Sequence, residues 1–206
     1  MLSNELMCAL SDSPVTIFDY DSTIVNTKQI NYEAYKAAFR EVGFDFDISF
    51  DDYNQGGGGM NGHIGHIAEV HGVLIGSDLL ETMKFHFRDA CIRISAEQDI
   101  RPLAYFETAS TIAGGKVFIV TKNFAEVPAA ALLRWEMSVD GCFSAAAYQS
   151  KRPVFEALIK GHDPKVCMCF DDHDRHLVHA KKLGMITVGV ALCGSKKFDN
   201  ADFEIR

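Results

Sequence analysis

Two aspartates separated by one residue, Asp19 and Asp21, follow the apolar run Val15-Thr16-Ile17-Phe18, and the pair Ser22-Thr23 comes soon after them. A short run rich in β-branched residues reads as a buried strand. In extended backbone, residues two apart project to the same side, so both carboxylates are expected to meet one ligand. Open α/β sheets take ligands beyond the carboxyl ends of their strands, where these aspartates fall. Two close carboxylates suit magnesium binding, nucleophilic attack or acid–base work. Two other readings fit this segment alone: an acidic turn that closes a strand, and the metal-gripping Asp-X-Asp of a sugar-nucleotide enzyme.

The remaining elements show what could stand beside the pair. Lys116-Val117-Phe118-Ile119-Val120 reads as a strand ending at Thr121-Lys122-Asn123, and Val166-Cys167-Met168-Cys169-Phe170 as a strand ending at Asp171-Asp172. Lys151, with Pro153, opens a helix between them that Gly161 closes. Helical patterns also cover residues 102–113, 124–137 and 174–183. Residues 142–146 and 186–190 read as strands, with 201–205 as a short edge strand. Strands alternating with helices imply right-handed βαβ units and a parallel sheet covered on both faces. Three strand ends then bring Asp19 and Asp21, Thr121, and Asp171 and Asp172 toward one place.

Between the first two of these strands the rhythm is helical. Ile30, Ala34, Tyr35, Ala38, Phe39 and Val42 share one helical face, and Gly43 stops that helix. Residues 78–94 form a second clear pattern, with Asp78 as the expected N-cap. Gly56-Gly57-Gly58-Gly59 reads as a flexible connection or a substrate-adjacent loop. His63, His66 and His71 fall on a further expected helix, and packing or solvated roles suit them better than ligation. Residues 24–99 are thus expected to be an all-helical insert, with 1–23 and 100–206 forming an α/β, three-layer Rossmann-like core.

The chain has 206 residues, 48% of them hydrophobic, enough for a core plus an inserted domain. A net charge of −8 leaves no basic stripe for phosphate backbones, so a nucleic-acid partner is not expected. No apolar run reaches the roughly 18 residues of a membrane span, and the first residues do not resemble a secretory signal. The six cysteines (Cys8, Cys91, Cys142, Cys167, Cys169 and Cys193) lack zinc-site spacing and read as reduced core thiols. A cytoplasmic location follows as the expectation.

In order, Asp19-X-Asp21-X-Thr23, Thr121 after a strand, Lys151 with Pro153, and Asp171-Asp172 before a helix resemble the four motifs of the haloacid dehalogenase superfamily. The resemblance spans residues 14–205, and the helical stretch 24–99 is similar to the cap of its phosphoglycolate phosphatase-like branch. It implies Asp19 as nucleophile and Asp21 as the acid that protonates the leaving oxygen and later activates water. It implies Thr121 and the Lys122 amide as phosphate holders, with Lys151 neutralising the phosphoryl charge and orienting Asp19. A magnesium ion would sit on the Asp19 carboxylate, the Asp21 carbonyl and Asp172, with Asp171 as a further candidate. The implied substrate is a small phosphorylated metabolite, and the chain is expected to be a monomer or homodimer.

An acid at Asp21 suits an alkoxide leaving group, which disfavours dehalogenation; a sugar phosphomutase, or a catalytically weak ligand-binding member, stays open. Two positions depart from the pattern. His176 stands where the superfamily often has a second acid, and Lys122 stands where this branch often has asparagine. His173, His176 and His179 are expected to be solvated. The Lys122 ammonium is expected either near phosphate or in solvent.

Overall fold

Strand β1 (Val15–Phe18) is buried at every position, because it runs down the middle of a six-stranded sheet of order β3-β2-β1-β4-β5-β6. In the computed structural model the described residues are 2–56, 59–191 and 197–206; Gly57, Gly58 and Cys193 lie outside them. The other strands are β2 (Lys116–Thr121), β3 (Gly141–Ser144), β4 (Met168–Asp171), β5 (Ile186–Val190) and β6 (Phe203–Ile205). Every pairing is parallel, which is why β1 and β4 read as continuous apolar runs rather than alternating ones. The register sets Phe18 beside Ile119 on one side and Phe170 on the other. β4 runs one residue and β2 two residues past that level, so Asp19, Thr121 and Asp171 stand at neighbouring strand ends.

The chain divides into two units, Met1–Asn26 with Ile100–Arg206, and Thr27–Asp99. In the first unit one sheet face, through Val15, Ile17, Phe118, Val120 and Cys169, packs on Phe155, Ile159 and Ala180. These come from helices α8 (Arg152–Leu158) and α9 (Asp174–Lys182) and the residue after α8. On the other face Phe18 meets Phe106 edge-on, at 5.1 Å between ring centroids. Phe106 belongs to α6 (Ala104–Ile112), and α7 (Glu126–Arg134) follows β2. Helix α1 (Asn4–Asp12) was not foreseen from the sequence. Ser3 caps its first turn by accepting from the Leu6 amide, and it buries Leu6 and Leu10.

Gly114 and Gly115 show why that join between α6 and β2 needs two glycines. A Cβ on Gly114 would lie 1.9 Å from the Ser11 carbonyl oxygen, and one on Gly115 would lie 2.2 Å from that of Pro14. The backbone following α1 passes directly over this turn, leaving no room for a side chain. Residues 24–26 stay with the first unit. The Leu103 amide donates to the Ile24 carbonyl at 2.9 Å, and the Tyr105 hydroxyl donates to the Thr23 carbonyl at 2.6 Å.

The second unit is helical: α2 (Lys28–Glu41), α3 (Phe50–Gln55), α4 (Gly59–Val70) and α5 (Ser77–Glu97). α5 starts before the expected Asp78. Gly76 is its N-cap and Asp78 lies in its first turn, where a carboxylate still complements the helix dipole. Gly59, read as part of a loop, belongs to α4. Tyr35 stacks on Phe87 at 4.3 Å and packs near Tyr53 and His63, forming an aromatic centre that dominates this small unit. Among the described residues no helix is long and apolar enough to cross a membrane. The described cysteines are free thiols, Cys8 exposed rather than in the core.

Candidate active site

β1 stops at Phe18, and the next residue is still held to the sheet, its amide donating to the Phe170 carbonyl at 2.9 Å. After Asp19 the chain turns sharply. The Ile24 amide donates to the Tyr20 carbonyl, and the Ser22 amide to the Val25 carbonyl at 2.8 Å. Ser22 adopts a left-handed conformation with φ of 59°, which costs a non-glycine residue about 1–2 kcal/mol. Such strain persists where surrounding structure dictates it. Here the turn carries Asp21 from the end of β1 to the Thr121 hydroxyl at the end of β2.

The two carboxylates accordingly have different surroundings. Asp19 Oδ1 accepts from Lys151 Nζ at 2.5 Å, and Oδ2 accepts from the Thr23 hydroxyl at 3.3 Å. Asp21 Oδ2 instead accepts from the Thr121 hydroxyl at the end of β2, at 3.3 Å. Both carboxylates nevertheless stay in one site, since the charge of Asp21 is among those that raise the Asp19 pKa. The described carboxylates able to hold one ion are Asp19, Asp171 and Asp172, whose oxygens lie within 4.8 Å of one another, all buried.

Lys151, at the start of α8, is fully buried, and it reaches across from Asp19 to Asp171 Oδ2 at 2.7 Å. Burial alone would lower its pKa. The Asp171 and Asp19 carboxylates outweigh burial and hold it above the ordinary lysine value. Asp171 is also stripped of water, yet Lys151 and His176 keep it below the usual carboxylate range. Asp19 goes the other way. Burial, then the charges of Asp171, Asp172 and Asp21, push its pKa well up, and Lys151 offsets only part of this.

A second cation answers that imbalance. Asp19 and Asp172 offer hard oxygen donors, the kind magnesium takes, in a pocket holding more buried negative charge than one ammonium can neutralise. The donor set fits a divalent cation, and a cation there would offset the charges that raise the Asp19 pKa.

Both departures from the expected motifs have defined places. His176 is not solvated: it is 8% exposed, and its Nδ1 lies 3.1 Å from each oxygen of Asp171. Lys122 Nζ, half-buried, is engaged by the backbone. It donates to the backbone carbonyls of Ala145 and Tyr148 and so ties down the loop that leads to Lys151. The Lys122 partners lie 23 and 26 residues further on, out of reach of any local pattern. The His176 contact, five residues from Asp171, depends on how α9 leaves β4. The Thr121 hydroxyl also receives the Asn123 amide at 2.9 Å, which curls the backbone after β2 around it.

No family model matches the sequence, and no curated protein matches it. Solved structures do. CbbY from Rhodobacter sphaeroides, in complex with phosphate, superposes with a TM-score of 0.72 at 15% identity over 94% of this chain and 93% of that one. A haloacid dehalogenase-like family hydrolase from Streptococcus pneumoniae gives 0.65 at 13% identity, over 94% and 93%. The chain has the haloacid dehalogenase-like fold. β-Phosphoglucomutase from Clostridium difficile shares that fold, with a TM-score of 0.65 at 19% identity over 94% of this chain and 91% of that one.

Proposed function

We propose that the chain is a haloacid dehalogenase-like hydrolase that cleaves a small phosphomonoester with a magnesium ion bound at Asp19 and Asp172. The observation that carries this reading is the Asp19–Lys151–Asp171 bridge among buried carboxylates at the strand ends. A carboxylate cannot approach a dianionic phosphate until positive charge offsets their repulsion. Lys151 supplies part of that charge from a fixed position. A divalent ion held by Asp19 and Asp172 would supply the rest by polarising the phosphoryl oxygens.

An Asp19 oxygen attacks phosphorus, forming the acyl-phosphate bond as the bond from phosphorus to the alkoxide breaks. Asp21 gives its proton to the departing oxygen and then takes one from the water that attacks the same phosphorus. Inorganic phosphate leaves and the Asp19 carboxylate is restored. The Thr121 hydroxyl and the Lys122 amide steady the transferring group, and they prevent tumbling of a loose, charge-rich transition state. Thr121 is already hydrogen-bonded to Asp21, so one threonine links the phosphate holder to the proton carrier.

The test is a panel of phosphorylated metabolites with magnesium, read by phosphate release. Wild type should turn over at least one member, and Asp19→Asn should slow it by roughly 10⁴-fold or more, the scale of losing a nucleophile. Full activity in that variant would sink the mechanism. An isomerised product instead of free phosphate would make the chain a phosphomutase, a fold relative of the kind already superposed on it. Thermal stabilisation by a metabolite without turnover would make it a binding protein.

A further inference from the structure

Asp171 is crowded with donors. Oδ1 accepts the His173 amide at 2.9 Å, Oδ2 accepts Lys151 Nζ at 2.7 Å, and His176 Nδ1 straddles both oxygens at 3.1 Å. Because Asp171 is ionised and can only accept, His176 Nδ1 carries a proton toward it. Nothing in the hydrolytic scheme above uses His176. An acid in its place would face Asp171 carboxylate to carboxylate, at a distance where one of the two has to give up its charge or share a cation.

We propose that His176 is a positioning residue, which holds Asp171 on Lys151 and out of the shell of the divalent cation. The inference rests on the hydrolase reading for its catalytic half and on the carboxylate geometry alone for its metal half. Asp19, Asp171 and Asp172 lie close enough for one ion to take all three. If Asp171 joined that ion, Lys151 would keep only Asp19 as partner and would be drawn from the line it holds toward the phosphoryl group. The imidazole opposes this, its one N–H lying within reach of both Asp171 oxygens. A lone histidine on α9 thus divides the acids into two sets: Asp171 for the lysine, and Asp19 with Asp172 for the ion.

The signature is a pair of effects of opposite sign. Removing the donor with His176→Ala or, to keep the volume, His176→Leu should free Asp171 for the ion, so magnesium binds several-fold more tightly. Turnover should fall by roughly 10–100-fold, the usual penalty for losing a residue that orients a metal site's neighbours. The KM of the substrate found in the panel, or of p-nitrophenyl phosphate, should change little. His176→Asn, which restores an N–H donor, should recover most of both properties. Magnesium affinity is read without substrate, by titrating the metal against melting temperature, so it stands even if wild type hydrolyses nothing. Weaker magnesium binding in both donor-free variants would overturn the proposal, as would no rescue by His176→Asn. Unchanged kcat in an active enzyme would overturn it equally.

Discussion

Two helices carry histidines three residues apart, α4 in the helical unit with His63 and His66, and α9 in the sheet unit with His173, His176 and His179. The spacing is alike and the outcome is not. On α4, His63 lies against Tyr53 and Tyr35 at ring distances of 5.1 and 5.3 Å, and the following His71 stacks flat on Phe46 at 4.1 Å. On α9, His176 meets a carboxylate. An imidazole serves as an aromatic plate or as a hydrogen-bond donor according to what the facing element supplies. The helical unit supplies rings, and the sheet unit supplies strand ends loaded with acids.

The largest expected effect tests the claim that the sheet unit is held by charge. Lys151→Ala leaves Asp19 and Asp171 buried without their shared cation, and breaking a buried ion pair this way costs about 3–5 kcal/mol. The denaturant midpoint should fall accordingly, with activity lost and magnesium restoring part of the stability. A change under about 1 kcal/mol would mean that the bridge is slack in solution.

A smaller effect tests the claim that the helical unit is held by rings. Tyr35→Leu preserves apolar volume but removes stacking on Phe87, Tyr53 and His63, at a cost of about 1–2 kcal/mol. Melting temperature should drop while magnesium binding stays as in wild type. Altered magnesium affinity would show that the two units are not energetically separate.

The smallest effect joins the two. Burial lowers the pKa of both His63 and His176. Each takes up a proton less readily when folded than when unfolded, so stability is full above the unfolded value near 6.5 and declines as pH falls below it. Melting temperature measured between pH 7.5 and 5.5 should show this slope. His63→Phe should flatten it slightly, with a stability change within about 1 kcal/mol at pH 7.5. An identical slope would leave the whole acid response to the sheet unit.

Much of this was legible in the chain, and each exception has a physical cause. The strand ends at Asp19, Thr121 and Asp171 could be read because continuous apolar runs betray buried parallel strands, and the polar residue that stops such a run must lie at its end. The helical insert could be read because glycine and 3.6-residue spacing are local. The Lys122 tether, the clasp of His176 on Asp171 and the sharp turn after Asp19 were not. The tether joins residues far apart in the chain, and the turn rests on a left-handed serine that no local pattern announces. The clasp, though it spans only five residues, depends on how α9 leaves β4. α1 was missed because its few apolar residues, Leu6 and Leu10 among them, give too short a stripe to stand out.

One last consequence follows from the hydrogen bonds that tie Thr23 and Ile24 to Leu103 and Tyr105. They sit where the chain departs for the Thr27–Asp99 segment and where it comes back. Once two such points are latched together, the length of what hangs between them matters little, because closure entropy grows only with the logarithm of loop length. The latch therefore works as a socket. Evolution, or a protein engineer, can lengthen, shorten or exchange the plugged-in segment at small thermodynamic cost. The strand register that aligns the acids is left undisturbed.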